Sequence, residues 1–184
     1  MTGFLEPDRQ LREVFVHTWI GAGLVWSLAI GWALRHAAPT AAVIGFLVSI
    51  PLISLLVACD MTYRVLPRRL SHATIVLVAP LLIAGSGPSN LGRWGSAVGA
   101  LGMLVMTLII DAMSGGVLGR GDIHFAPLIG LIVGWFEPRQ VITVWVVVAL
   151  IAAIVSLSRK AHDRLVPYGP LLAIGATVAI IVGS

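Results

Sequence analysis

Cysteine is all but missing from this chain. Cys59 stands alone, which excludes a disulfide framework and any multi-cysteine zinc site. Charge is scarce as well: Asp, Glu, Lys and Arg make up 11% of the 184 residues, where soluble domains carry about a quarter. The five histidines are scattered. No metalloprotease or phosphate-binding signature is present, so neither a metal nor a cofactor is expected. Basic residues leave a formal charge of +4, but they are spread over connecting segments instead of forming a stripe, and nucleic-acid binding is not expected on that footprint. Internal repeats and low-complexity stretches are absent.

What the chain has in abundance is hydrocarbon: 58% hydrophobic residues and a mean hydropathy of +1.00. Apolar runs cover Val14–Leu34, Ala41–Cys59, Ala73–Ala84, Trp94–Met113, Ile123–Phe136, Val141–Leu157 and Val166–Val182. A bilayer crossing takes roughly 20 apolar residues. The expected fold is therefore an all-α, polytopic transmembrane bundle of about seven spans (six to eight), one membrane-embedded domain over 1–184. The third and fifth runs are short enough to be tilted or re-entrant. Met1–Glu13 carries both charge signs, unlike a cleaved signal peptide, and reads as a retained cytoplasmic tail. With seven crossings, Arg9, Arg12, Arg64, Arg68, Arg69, Arg120, Arg159, Lys160 and Arg164 fall on one side, leaving Arg35, Arg93 and Arg139 on the other. The positive-inside rule then makes the amino terminus cytoplasmic.

Three of the eight acidic residues lie at span ends on that same side: Asp60, Asp111 and Asp122. A carboxylate at the edge of hydrocarbon is costly, so each is a functional candidate by default. Asp60 opens the segment Asp60-Met61-Thr62-Tyr63-Arg64-Val65-Leu66-Pro67; its bland alternative is an i,i+4 pair with Arg64 on a helix that Pro67 stops. Asp122 closes Gly119-Arg120-Gly121-Asp122 and has the bland alternative of a helix N-cap. An N-cap leaves unexplained the glycines at 115, 116, 119 and 121, which permit unusual backbone angles and close approach of another chain. Asp111 reads first as structural, with an auxiliary role in reserve.

These segments resemble the two signature regions of the type IV prepilin leader peptidases, the Gly-x-Gly-Asp aspartic proteases. The first match is Asp60 followed by Leu66-Pro67-Arg68-Arg69-Leu70. The second is Gly119-Arg120-Gly121-Asp122 with Gly130 and Gly134-Trp135 downstream. A third stretch, Val166-Pro167-Tyr168-Gly169-Pro170-Leu171-Leu172-Ala173, resembles the opening of that family's last span. Two positions depart from its pattern: Arg68 stands where an asparagine is usual, and His124 where a lysine is usual. The resemblance implies Asp60 and Asp122 as catalytic aspartates, with Gly119, Arg120, Gly121 and Pro67 supporting the loop and Asp111 and His124 as auxiliaries. It implies the peptidase activity without the N-methylation associated with a cysteine-rich region, and a short form of the kind serving Flp/Tad-type pilin systems.

Two nearby carboxylates cannot both ionise cheaply, so such a pair holds one proton, activating water with one member and polarising the scissile carbonyl with the other. The expected partners are the lipid bilayer and a prepilin or pseudopilin bearing a basic leader ahead of an apolar helix, cut at the cytoplasmic face of a bacterial or archaeal inner membrane. Other readings stay open on sequence alone. A small transporter also uses membrane acids and glycine-broken helices. A serine protease would use Ser114 with His124 or His162, and a structural subunit would use the aspartates only as caps.

Overall fold

The computed structural model describes residues 6–33, 39–85, 91, 94–116, 118–158 and 168–183. Seven α-helices and no strand occur among them: α1 (Glu6–Ala33), α2 (Thr40–Tyr63), α3 (Arg68–Ala84), α4 (Gly95–Met113), α5 (Arg120–Phe136), α6 (Gln140–Ser158) and α7 (Tyr168–Gly183). Each corresponds to one expected apolar run. Helices α1 (over Arg12–Gly31), α2 and α4 are long and apolar enough to cross a membrane by themselves. α1 starts at Glu6, so helix extends back into the segment read as a polar tail.

The shortness of α5 follows from its position. Every residue from Phe125 to Phe136 is buried except Pro127, which makes α5 the apolar-all-round helix that a bundle encloses. Other helices carry the lipid-facing surface: Leu28, Leu47, Val76, Leu101 and Ile142 are each more than 60% exposed. A water-soluble protein would not survive such a belt without aggregating; in a bilayer it is solvated.

Lipid offers no hydrophobic drive for helix pairing, so close packing and hydrogen bonds must supply it. α4 and α5 meet glycine to glycine. A side chain at Gly99 would strike the Gly130 carbonyl and come within 2.6 Å of the Gly134 Cα. Gly95 and Gly99 on one helix, and Gly130 and Gly134 on the other, are each four apart, the spacing of the small-residue dimer motif. Three buried hydroxyls bond within their own helices: Ser54 donates to the Ile50 carbonyl at 2.7 Å, Thr74 to Leu70 at 2.8 Å and Thr107 to Met103 at 2.6 Å. The Trp135 indole is buried and donates to the Gly85 carbonyl.

Candidate active site

One end of the bundle gathers the finish of α2 and the starts of α3, α5 and α7. Asp60 lies in the last turn of α2. The helix stops at Arg64, which adopts the left-handed conformation (φ 52°) while its N–H donates to the Asp60 carbonyl at 2.9 Å. Arg64 is thus the C-cap of α2 and not one of its helical residues, and its charge still lies within electrostatic reach of Asp60. Pro67 does not stop α2; it begins α3. It is that helix's N-cap, accepting the Leu70 and Ser71 N–H groups at 3.0 and 3.1 Å.

Between them Leu66 turns inward, 7% exposed, and lies on Gly121. A Cβ at Gly121 would come 2.6 Å from the Leu66 Cβ and 2.8 Å from its carbonyl oxygen. Only a residue without a side chain lets the α2–α3 connection sit this tightly on the start of α5. That contact brings Asp60 towards Asp122.

Asp122 is not an N-cap. Gly119 holds that position, and Arg120, Gly121 and Asp122 form the first turn of α5. From the third helical position the Asp122 carboxylate reaches back to accept the Gly119 N–H, as an acidic residue does there in a capping box. Asp60 is held likewise by another helix start. Buried to 6% exposure, it accepts the Gly169 N–H on Oδ2 at 2.9 Å. The donor lies in the first turn of α7, whose N–H groups lack partners within the helix. The starts of α5 and α7 thus favour negative charge on Asp122 and Asp60 respectively, while for Asp60 the end of its own helix α2 opposes it.

Asp122 precedes the apolar stretch that begins at Ile123. Its carboxyl is pushed up from 3.8 to about 6, chiefly by burial and next by the negative charge of Asp60, with the Gly119 hydrogen bond opposing. The two acids are thus electrostatically coupled, and burial outweighs the helix terminus. Asp122 also lies within electrostatic reach of Tyr168, so the start of α7 adjoins both.

The remaining sequence candidates have other engagements. Asp111, at the end of α4, accepts the Leu118 N–H on Oδ1 at 3.1 Å, and its carbonyl takes the Gly116 N–H at 2.8 Å. It ties down the connection to α5. Gly115 and Gly116 have positive φ (75° and 80°), so they serve as the left-handed termination of α4; Gly119 and Gly121 serve by making space. Arg120 is exposed. The His124 Nδ1 lies 2.6 Å from the Arg120 carbonyl, and its ring meets that of His72 at 4.8 Å between centroids. Ser114 donates to the Asp111 carbonyl at 3.1 Å, as a turn serine does; His162 lies outside the described residues.

Sequence reasoning gave no site role to Leu66, Tyr168 or Gly169. The Pro167-Tyr168-Gly169-Pro170 opening of the last run was the available signal, because a helix start carries free N–H donors.

A family model described as the type IV leader peptidase family matches residues 47–157. Neither a curated protein nor a solved structure matches the chain. The matched span contains Asp60, Asp111 and Asp122 and stops short of Gly169.

Proposed function

The chain belongs to the type IV leader peptidase family, and from that premise we propose that it is a membrane aspartic endopeptidase whose dyad is Asp60 and Asp122. The observation that carries this is the coupling of the two acids: the charge on Asp60 helps raise Asp122 to about 6. A pair so placed holds its second proton more tightly than its first, which is what shared-proton catalysis requires. Asp60, held by the Gly169 N–H, is the ionised member and takes a proton from the attacking water. Asp122 keeps the second proton, polarises the scissile carbonyl and then donates to the leaving amine. Gly119 and Gly121 hold Asp122 and the Leu66 connection in place. Pro67 starts α3 so that this connection stays short.

The substrate is a prepilin or pseudopilin with a basic leader ahead of an apolar helix, and the cut is made at the cytoplasmic face of a bacterial or archaeal inner membrane. Co-expression with a candidate prepilin tests the reading. Asp60→Asn and Asp122→Asn, which preserve side-chain size, are each expected to reduce leader removal by about a thousandfold or more. Cleavage that persists in either variant would show that the dyad is wrong.

A further inference from the structure

An apolar cleft of about 200 Å³ opens sideways between α1, α2 and α7, lined among others by Gly21, Ala22, Trp26, Met61, Ala173 and Thr177. Its position is what gives it meaning. Met61 follows Asp60 directly, and Pro170, also in the lining, follows the Gly169 whose N–H holds the Asp60 carboxylate. The cleft therefore begins beside the proposed catalytic acid. It runs along α7 from Pro170 to Thr177, which at 1.5 Å per residue is about 10 Å, or two helical turns.

Its walls suit a helix better than a mobile acyl chain. Gly21, Ala22 and Ala173 are small, as surfaces are where membrane helices approach backbone to backbone. A Cβ at Gly21 would meet nothing within 4 Å, so no neighbouring residue of the fold fills that space. Thr177 returns its hydroxyl to the Ala173 carbonyl at 2.9 Å, which leaves only its methyl group unengaged. Trp26, 2% exposed, is packed into the fold beneath.

We propose that this cleft receives one face of the first two turns of the substrate's apolar helix, so that the bond just ahead of that helix is delivered to Asp60. The occupant is committed by geometry. A helix entering laterally never leaves the lipid, and its amino-terminal end emerges where the carboxylates stand. The proposal rests on the peptidase reading above and adds to it the docking surface.

Crosslinking and kinetics on the full-length protein in membranes test it. In a Cys59→Ser, Asp122→Asn background, Gly21→Cys should crosslink to cysteines placed in the first two turns of a prepilin's apolar helix, at helical periodicity. Gly31→Cys, also in open space but at the far end of α1, should not. In the active protein, Gly21→Leu should lower the ratio of kcat/KM for a helix-bearing prepilin to that for a helix-less leader peptide by about tenfold, and Gly31→Leu should leave that ratio alone. The docking proposal is overturned by crosslinks equal at Gly21 and Gly31, by crosslinks of Gly21→Cys to a second copy of this chain in place of substrate, or by an unaltered ratio in Gly21→Leu. If the aspartate variants are inactive while these results are negative, the cleft fails and the peptidase stands. If the aspartate variants still cleave, the peptidase reading itself has failed.

Discussion

At the residue scale the chemistry turns on how strongly Asp122 holds its proton. Burial and the charge of Asp60 push its carboxyl up from 3.8 to about 6. Cleavage should therefore decline as pH is raised through about 6 to 7 and Asp122 ionises, because an anion can neither polarise the carbonyl nor donate to the amine. Initial rates across pH 5 to 8.5 check this, and a profile flat across that range would contradict it. The same shift carries a stability consequence whose sign can be worked out. The folded state binds this proton more tightly than the unfolded chain, so its stabilising contribution is complete below 3.8 and is lost as pH rises to about 6. Asp122→Asn avoids ionisation altogether. Its melting temperature at pH 8 should equal or exceed the parent's, which would separate an inactive protein from a misfolded one. Gly169 is the other sensitive residue. A methyl group there would lie 2.8 Å from the Asp60 Oδ2, so Gly169→Ala should displace the carboxylate and cut kcat by about tenfold or more with little change in KM. An unchanged kcat in that variant would remove Gly169 from the machinery.

At the scale of elements, the glycine seam between α4 and α5 fixes where Asp122 ends up. A side chain at Gly99 would strike the Gly130 carbonyl, and α5 is the helix that carries the acid. Gly99→Leu must push the two helices apart, and overpacking of this kind costs about 1–3 kcal/mol, occasionally more. The expected outcome is a lower melting temperature in detergent together with reduced cleavage; normal melting would mean that the seam is dispensable. The seven helices were legible because apolar runs report spans directly. Helix ends were less so. Arg64 stops α2 in the left-handed region, which favours glycine and asparagine, so the residue type offers no hint. Pro67 was read as a stop because proline ends and begins helices with equal ease. The Gly99–Gly130 contact depends on register between two helices, which no single run contains. Asp60 and Asp122 stood out because a carboxylate beside hydrocarbon is conspicuous in any sequence. The Gly169 donor did not, because a backbone N–H has no residue-type signature and its acceptor is 109 positions away.

At the scale of the whole molecule, the question is which way the bundle faces. Asp60, Asp122 and the Leu66–Gly121 contact share one end, and Arg64, Arg68, Arg69 and Arg120 lie in or beside the same connections. The opposite end has the α5–α6 turn, with Arg139. Cytoplasmic segments next to spans hold the excess of Lys and Arg, so the end with the aspartates should face the cytoplasm, where a membrane-anchored precursor still carries its leader. In a Cys59→Ser background, Arg139→Cys should react with a membrane-impermeant thiol reagent applied to intact cells. Arg68→Cys, exposed at the start of α3, should react only after the membrane is permeabilised. The reverse pattern would place the acids on the outer side, where the reaction proposed for them would need a leader that had already been translocated; labelling of both sites in intact cells would mean that the bundle inserts without a fixed orientation. Because each substitution removes one charge of the set that sets orientation, the pair should also be read with Arg68 and Arg139 left intact and cysteines placed at Val65, exposed in the α2–α3 connection, and Pro138. Agreement between the two pairs would assign the sidedness to the bundle and not to the altered charge.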